Sequence, residues 1–168
     1  MDKNHTTFDN FQLLEEHLVP SSSNLLFYEN AFTKIQLIQE ITSKQNLPVL
    51  YIDLDLLFSG YVKSELLTIP NLTLFTTLES KINEIFSQIF TKISKEPHLV
   101  IFDSINGLYN TFSNDADSGR MVNSILIISV LATKKENDWV LPNGRQILEN
   151  ENMKKFVISD RSKIKIEK

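Results

Sequence analysis

The sequence predicts an α/β domain in three layers, a mostly parallel central sheet with helices on both faces. Three features lead there. Apolar blocks of strand length recur along the chain, amphipathic segments of helix length stand between them, and the blocks are apolar throughout rather than alternating. Such strands belong to parallel sheets covered on both sides, because neither face can be left to water. Crossovers between them are expected to be right-handed.

Residues 8–18 (FDNFQLLEEHL) set Phe11, Leu14 and Leu18 at helical spacing, with Asp9 as the expected N-cap. Pro20 and three serines then break the chain. Residues 24–29 (NLLFYE) form a short apolar strand, and residues 33–44 (TKIQLIQEITSK) place Ile35, Leu37, Ile38 and Ile41 on one broad helical face. Pro48 starts the next strand, 49–54 (VLYIDL), and 72–76 (LTLFT) is another. Residues 79–94 carry Ile82, Ile85, Phe86, Ile89, Phe90 and Ile93 as a 3.6-period stripe. Pro97 ends that helix, and 98–103 (HLVIFD) reads as a buried strand.

The last third is less determinate. Residues 120–132 (RMVNSILIISVLA) fit a helix, a strand, or a helix passing into a strand, since periodicity does not separate these in a fully apolar run. Residues 138–141 (DWVL), the turn signal Pro142-Asn143-Gly144, and two segments suited to pairing, 146–148 and 154–159, follow. In 162–168 (SKIKIEK) charged residues alternate with Ile164 and Ile166, the pattern of an edge strand.

Composition sets bounds on function. With 168 residues, 42% of them hydrophobic and 23% charged, the chain is long and apolar enough for one folded core. We expect a single domain, residues 1–20 forming a helical extension and the core spanning about 21–168. The absence of cysteine excludes disulfides, thiolate metal sites and cysteine nucleophiles, and suits a reducing compartment. A net charge of −4 gives no global attraction to nucleic acid or anionic membrane. The N-terminal residues lack an apolar signal core and the apolar run 125–132 is too short to span a bilayer. The expected address is cytoplasmic, with no membrane partner.

The order of these pieces resembles the core of the RecA/RadA/KaiC superfamily of P-loop ATPases over roughly residues 20–160. NLLFYENAFTKIQLIQEI stands where the family's opening strand, phosphate loop and helix would be. VLYIDLDLLFSGY is similar to its second core strand, HLVIFDSINGLY to its Walker B strand, and WVLPNGRQILENENMKKFVISDR to the segment leading into its final strands. The resemblance implies a RecA-like three-layer fold. It departs where nucleotide would bind. A Walker A loop needs glycines that let backbone N–H groups curl around phosphate, then Lys followed by Ser or Thr. None of the four glycines, Gly60, Gly107, Gly119 and Gly144, precedes residue 60. Glu29-Asn30-Ala31-Phe32-Thr33-Lys34 is short, carries a carboxylate, and offers Thr-Lys in place of Lys-Thr. If the resemblance holds, tight ATP binding is lost and no cofactor is expected.

The resemblance implies that Asn30, Thr33, Lys34, Asp53, Asp103 and Ser104 are remnants of a nucleotide site. In an active relative the aspartate matching Asp103 holds Mg²⁺ through water. Here the favoured reading is a strand-end carboxylate capping nearby amides, and Ser104 is expected in a local turn hydrogen bond. Asp53 and Asp55, two apart near the end of a strand, are candidates for a metal or general-base role, although aspartates at strand exits commonly cap turns. His5, His17 and His98 lack metal-ligand spacing. No catalytic constellation emerges.

Two surfaces are candidates for binding. Arg145, Lys154, Lys155, Arg161, Lys163 and Lys165, with Lys134, Lys135 and Lys168, concentrate positive charge in the last third and are the expected nucleic-acid contacts, or a solvated face. In RecA-like proteins loops after the Walker B strand face DNA, but Asp115 and Asp117 spoil residues 111–120 for phosphate contact. Phe58, Tyr61, Tyr109, Phe112 and Trp139, in or beside loops, read as interface aromatics or core pieces. The resemblance, to members lacking Walker A such as recombinase paralogues and Elongator accessory subunits, implies a non-catalytic assembly or regulatory subunit. Its expected partner has a like fold or is a second copy, in a process such as DNA recombination and repair. Direct nucleic-acid binding, and an ATPase with a non-standard or partner-completed site, are the alternatives.

Overall fold

The computed structural model describes residues 8–77, 80–104, 106, 123–136, 138–142, 153–159 and 163–167. The chain is α/β, built on a mostly parallel seven-stranded sheet. Its strands are β1 (Ser23–Tyr28), β2 (Val49–Asp53), β3 (Leu72–Thr76), β4 (Leu99–Asp103), β5 (Ile125–Leu131), β8 (Lys154–Ile158) and β9 (Ile164–Glu167), in the order β3-β2-β4-β5-β1-β8-β9. Every pairing is parallel except β8 with β9. Two further strands, β6 (Thr133–Lys135) and β7 (Asp138–Val140), make a separate antiparallel pair.

Strand parity sorts the core into two sides. On one, Leu26, Tyr28, Val49, Tyr51, Leu99, Ile101, Ile125, Ile127, Phe156 and Ile158 meet helices α1 (Phe11–Glu15), α2 (Ala31–Lys44) and α3 (Leu57–Lys63). On the other, Leu50, Ile52, Val100 and Phe102 pack under α4 (Ile82–Ile93) through Ile85, Ile89 and Ile93. Leu25, Phe27 and Val130, also on that side, are covered by the β6–β7 pair, whose Trp139 stacks on Phe27 at 4.7 Å. Helices thus lie on both faces. Among the described residues no helix is long and apolar enough to cross a membrane.

Most expected elements are present, and the differences have physical causes. Asp9 is not the cap of α1. Its carbonyl accepts from Ile164 N and it forms a bridge to Lys163, while Asn10, left-handed with φ 66°, occupies the cap position. Phe8, Phe11, Leu14 and Leu18 are buried in the core shared with α2, so this segment packs as part of the main body. α3 was not anticipated. Residues 125–131 of the ambiguous run are strand, held between β4 and β1, whereas 120–122 lie outside the described residues. Phe58 and Trp139 are core residues rather than loop aromatics, and Tyr61 packs partly buried against the core. Tyr109, Phe112, residues 111–120 and 146–148, and His5 lie outside the described residues. His98 is buried, its backbone N–H donating to Ser124. The edge pattern of the tail is borne out as β9, with Ile164 buried and Lys163 and Lys165 exposed.

Candidate functional site

Parallel strands bring their carboxyl ends to one rim of the sheet, where ligands of open α/β folds usually bind. At this rim Asp53 ends β2, Asp103 ends β4, and the two are direct cross-strand partners. Ser129 of β5, Tyr51 of β2 and Tyr28 of β1 share their face by parity. Over this face α2 starts. Asn30 caps it, its Oδ1 accepting from Phe32 N at 2.9 Å and Thr33 N at 3.1 Å. That cap sets the first turn and with it the direction of Lys34. We expect Asn30→Ala to cost about 1 kcal/mol in chemical denaturation, as for other N-caps.

Lys34 is fully buried and reaches across the rim to Asp103, with Nζ 2.5 Å from Oδ1. The same Oδ1 accepts from Ser129 Oγ at 2.5 Å, and Tyr51 Oη donates to Oδ2. Nζ also lies 3.5 Å from Tyr28 Oη, 4.6 Å from the centre of the Tyr28 ring and 3.6 Å from Asp55 Oδ2. Asp103 is thus a fully buried carboxylate with three side-chain donors and one counter-charge, rather than a cap for nearby amides. Ser104, after a cis Asp103–Ser104 peptide bond, is buried. Thr33 is buried in the first turn of α2 and Asn30 is exposed.

Asp53 and Asp55 do come together with Asp103, one carboxylate oxygen from each lying within 4.8 Å of the others. Asp53 Oδ2 accepts from Ser59 N at 2.6 Å, and Asp55 Oδ1 accepts from Leu57 N at 3.1 Å, so both hold the start of α3. Among the described residues Asp53 Oδ1 is buried without a hydrogen-bond partner. Asp55 is the solvent-facing member, its side chain 34% exposed.

Charge and burial explain the protonation of the group. Burial alone would lower the Lys34 ammonium, but the Asp103 carboxylate, with Tyr28 and Asp55, outweighs it and the pKa is raised. Lys34 is therefore a fixed cation near neutrality and a poor general base. Burial, then Asp103, drives the Tyr51 hydroxyl well above its usual range, which keeps it a donor. Burial also raises Tyr28, against the lowering effect of Lys34. Asp53 is pushed up to about 6, first by burial and then by Asp55, although the Ser59 bonds oppose the shift. The Lys34 ammonium is already the cation on these oxygens, 2.5 Å from Asp103 Oδ1 and 3.6 Å from Asp55 Oδ2. The residues present do not fit the metal that the family resemblance implies.

The basic residues are not gathered in the same way. Lys134, Lys135, Lys154, Lys163 and Lys165 are exposed, Lys155 is half-buried, and Arg145 and Arg161 lie outside the described residues. Lys155 faces Glu167 and Val157 faces Lys165 in the β8–β9 register. Lys154 and Lys163 therefore stand at opposite ends of the pair, roughly 17 Å apart at about 3.3 Å per residue. Lys134 is bonded to Glu167, which also accepts from Trp139 Nε1.

Asp53, Asp103 and Lys34 were legible as separate candidates. Tyr28, Tyr51 and Ser129 were missed. Parity was the available signal, since Tyr51 precedes Asp53 by two residues and Ser129 is the one polar residue in ILIISVL. Compared with known proteins, the chain matches no family model and no curated sequence.

Proposed function

We propose that the chain is a single RecA/KaiC-like domain that has lost its nucleotide site and works as a non-catalytic assembly or regulatory subunit. DNA recombination and repair is the process to examine first, with a like-folded protein or a second copy as partner. One observation carries the reading: the buried contact between Lys34 and Asp103. β1 leads into the turn that stands in the phosphate-loop position, and β4 ends in the aspartate at the Walker B position. In a working relative, phosphate and Mg²⁺ lie between such groups. Here the two side chains meet each other directly instead, at 2.5 Å. The glycine-free turn supports the same reading, because Asn30 already occupies the first N–H groups of α2 that would otherwise meet phosphate.

The test is calorimetry of the full chain with ATP and ADP in the presence of Mg²⁺. We expect no saturable heat up to millimolar nucleotide. Saturable micromolar binding that disappears in Asp103→Asn would overturn the proposal and make the Glu29–Lys34 turn a working phosphate site.

A further inference from the structure

The sheet has two outer edges, and they are treated differently. At β9 the outward Ile164 N–H is taken by Asp9 O at 3.2 Å, and the strand carries exposed Lys163 and Lys165. Cover and lysine are both devices that keep an edge from pairing with another chain. β3, at the other end, has neither among the described residues. Its sequence, LTLFT, contains no charge and no proline. Val49 N donates to Asn71 O at 3.0 Å, which fixes the register: Asn71, Thr73 and Phe75 turn their backbone groups to β2. Leu72 and Leu74 turn theirs outward. Among the described residues these outward N–H and C=O groups have no backbone partner, and Leu72, Thr73 and Leu74 are partly exposed.

We propose that two copies of this chain associate through β3, pairing antiparallel about a two-fold axis at Thr73. The edge fits itself. With the axis at Thr73, Leu72 stands opposite Leu74 of the second copy, so outward groups meet outward groups and four hydrogen bonds form. Thr73 meets its own counterpart, a favourable cross-strand pair, and no like charges are opposed. Leu72 and Leu74 already pack against the main core, so the apolar layer continues across the axis. The covered, lysine-bearing β9 edge disfavours head-to-tail growth, which leaves a closed dimer as the assembly.

This inference rests on the sheet edge and not on the nucleotide-site reading, and its test reads mass rather than nucleotide binding. Sedimentation velocity of the full chain, from micromolar to sub-millimolar, is expected to show a reversible dimer. In Thr73→Lys and Leu74→Pro the dimer Kd should rise about tenfold or more. Leu74→Pro removes an outward N–H and part of the Leu74 packing but no hydrogen bond to β2, so the ladder to β2 and the circular dichroism should be retained. Amide exchange at Leu72 and Leu74 should slow with concentration in the unaltered chain, a readout independent of any variant. A monomer at all concentrations, or a dimer equally tight in both folded variants, would overturn the proposal.

Discussion

Lys34→Ala is expected to destabilise the fold by about 3–5 kcal/mol, measured by urea denaturation at neutral pH. That is the range for breaking a buried ion pair from one side, because the remaining charge stays in the interior uncompensated. Asp103 would keep its donors Tyr51 and Ser129 but lose the cation 2.5 Å away. Its carboxylate would then have to take up a proton or pull the rim open to water. Removing the charge from both sides is a different experiment. Lys34→Met combined with Asp103→Asn leaves no buried net charge from the pair, keeps an acceptor for one of Tyr51 and Ser129, and offers its NH2 to the other hydroxyl as acceptor. The double variant is expected to recover much of the single variant's loss, a coupling read directly from the mutant cycle. A Lys34→Ala loss below about 1 kcal/mol would mean the ammonium is bound no more tightly than at a protein surface.

The same pair shows what a sequence does and does not disclose. The strands ending in Asp53 and Asp103 were visible as apolar blocks, and α2 and α4 as stripes, because each buries a face set by local periodicity. Lys34 and Asp103 are 69 residues apart, and only the strand order joins them. β5 was undecided because ILIISVL, apolar except for Ser129, fits either period. Its neighbours β4 and β1 make it a strand, a tertiary cause absent from the segment itself. α3 was missed for a related reason. It is seven residues long, contains Gly60, and starts from a left-handed Leu56 without a side-chain cap. Its start is held by Asp53 and Asp55, residues that precede it and read as site candidates. Phe58 reads equally as an interface aromatic or a core piece from sequence, because the helix that turns it onto Tyr51, at 3.7 Å between rings, has no local signal.

Asp53→Asn is expected to stabilise the protein at pH 8, by about 3 kcal/mol, and to have no such effect below about pH 4. The Asp53 pKa rises from 3.8 to about 6 on folding, first because burial disfavours the carboxylate. A raised acid holds its proton more tightly in the folded state. Its contribution to stability is thus fully present below the unfolded pKa and is lost as pH rises through 6. A shift of roughly two units corresponds to about 3 kcal/mol by linkage. Asparagine is neutral throughout and keeps an acceptor for Ser59 N, so it preserves the hold on α3 while removing the buried charge. The measurement is urea denaturation of both proteins from pH 4 to pH 8. The stability difference should open between pH 4 and 6 and level off above 7. A loss of stability in the variant at pH 8 would mean that the carboxylate is wanted as an anion. Asp53 Oδ1, buried without a partner among the described residues, would then be the atom whose counter-charge should be sought.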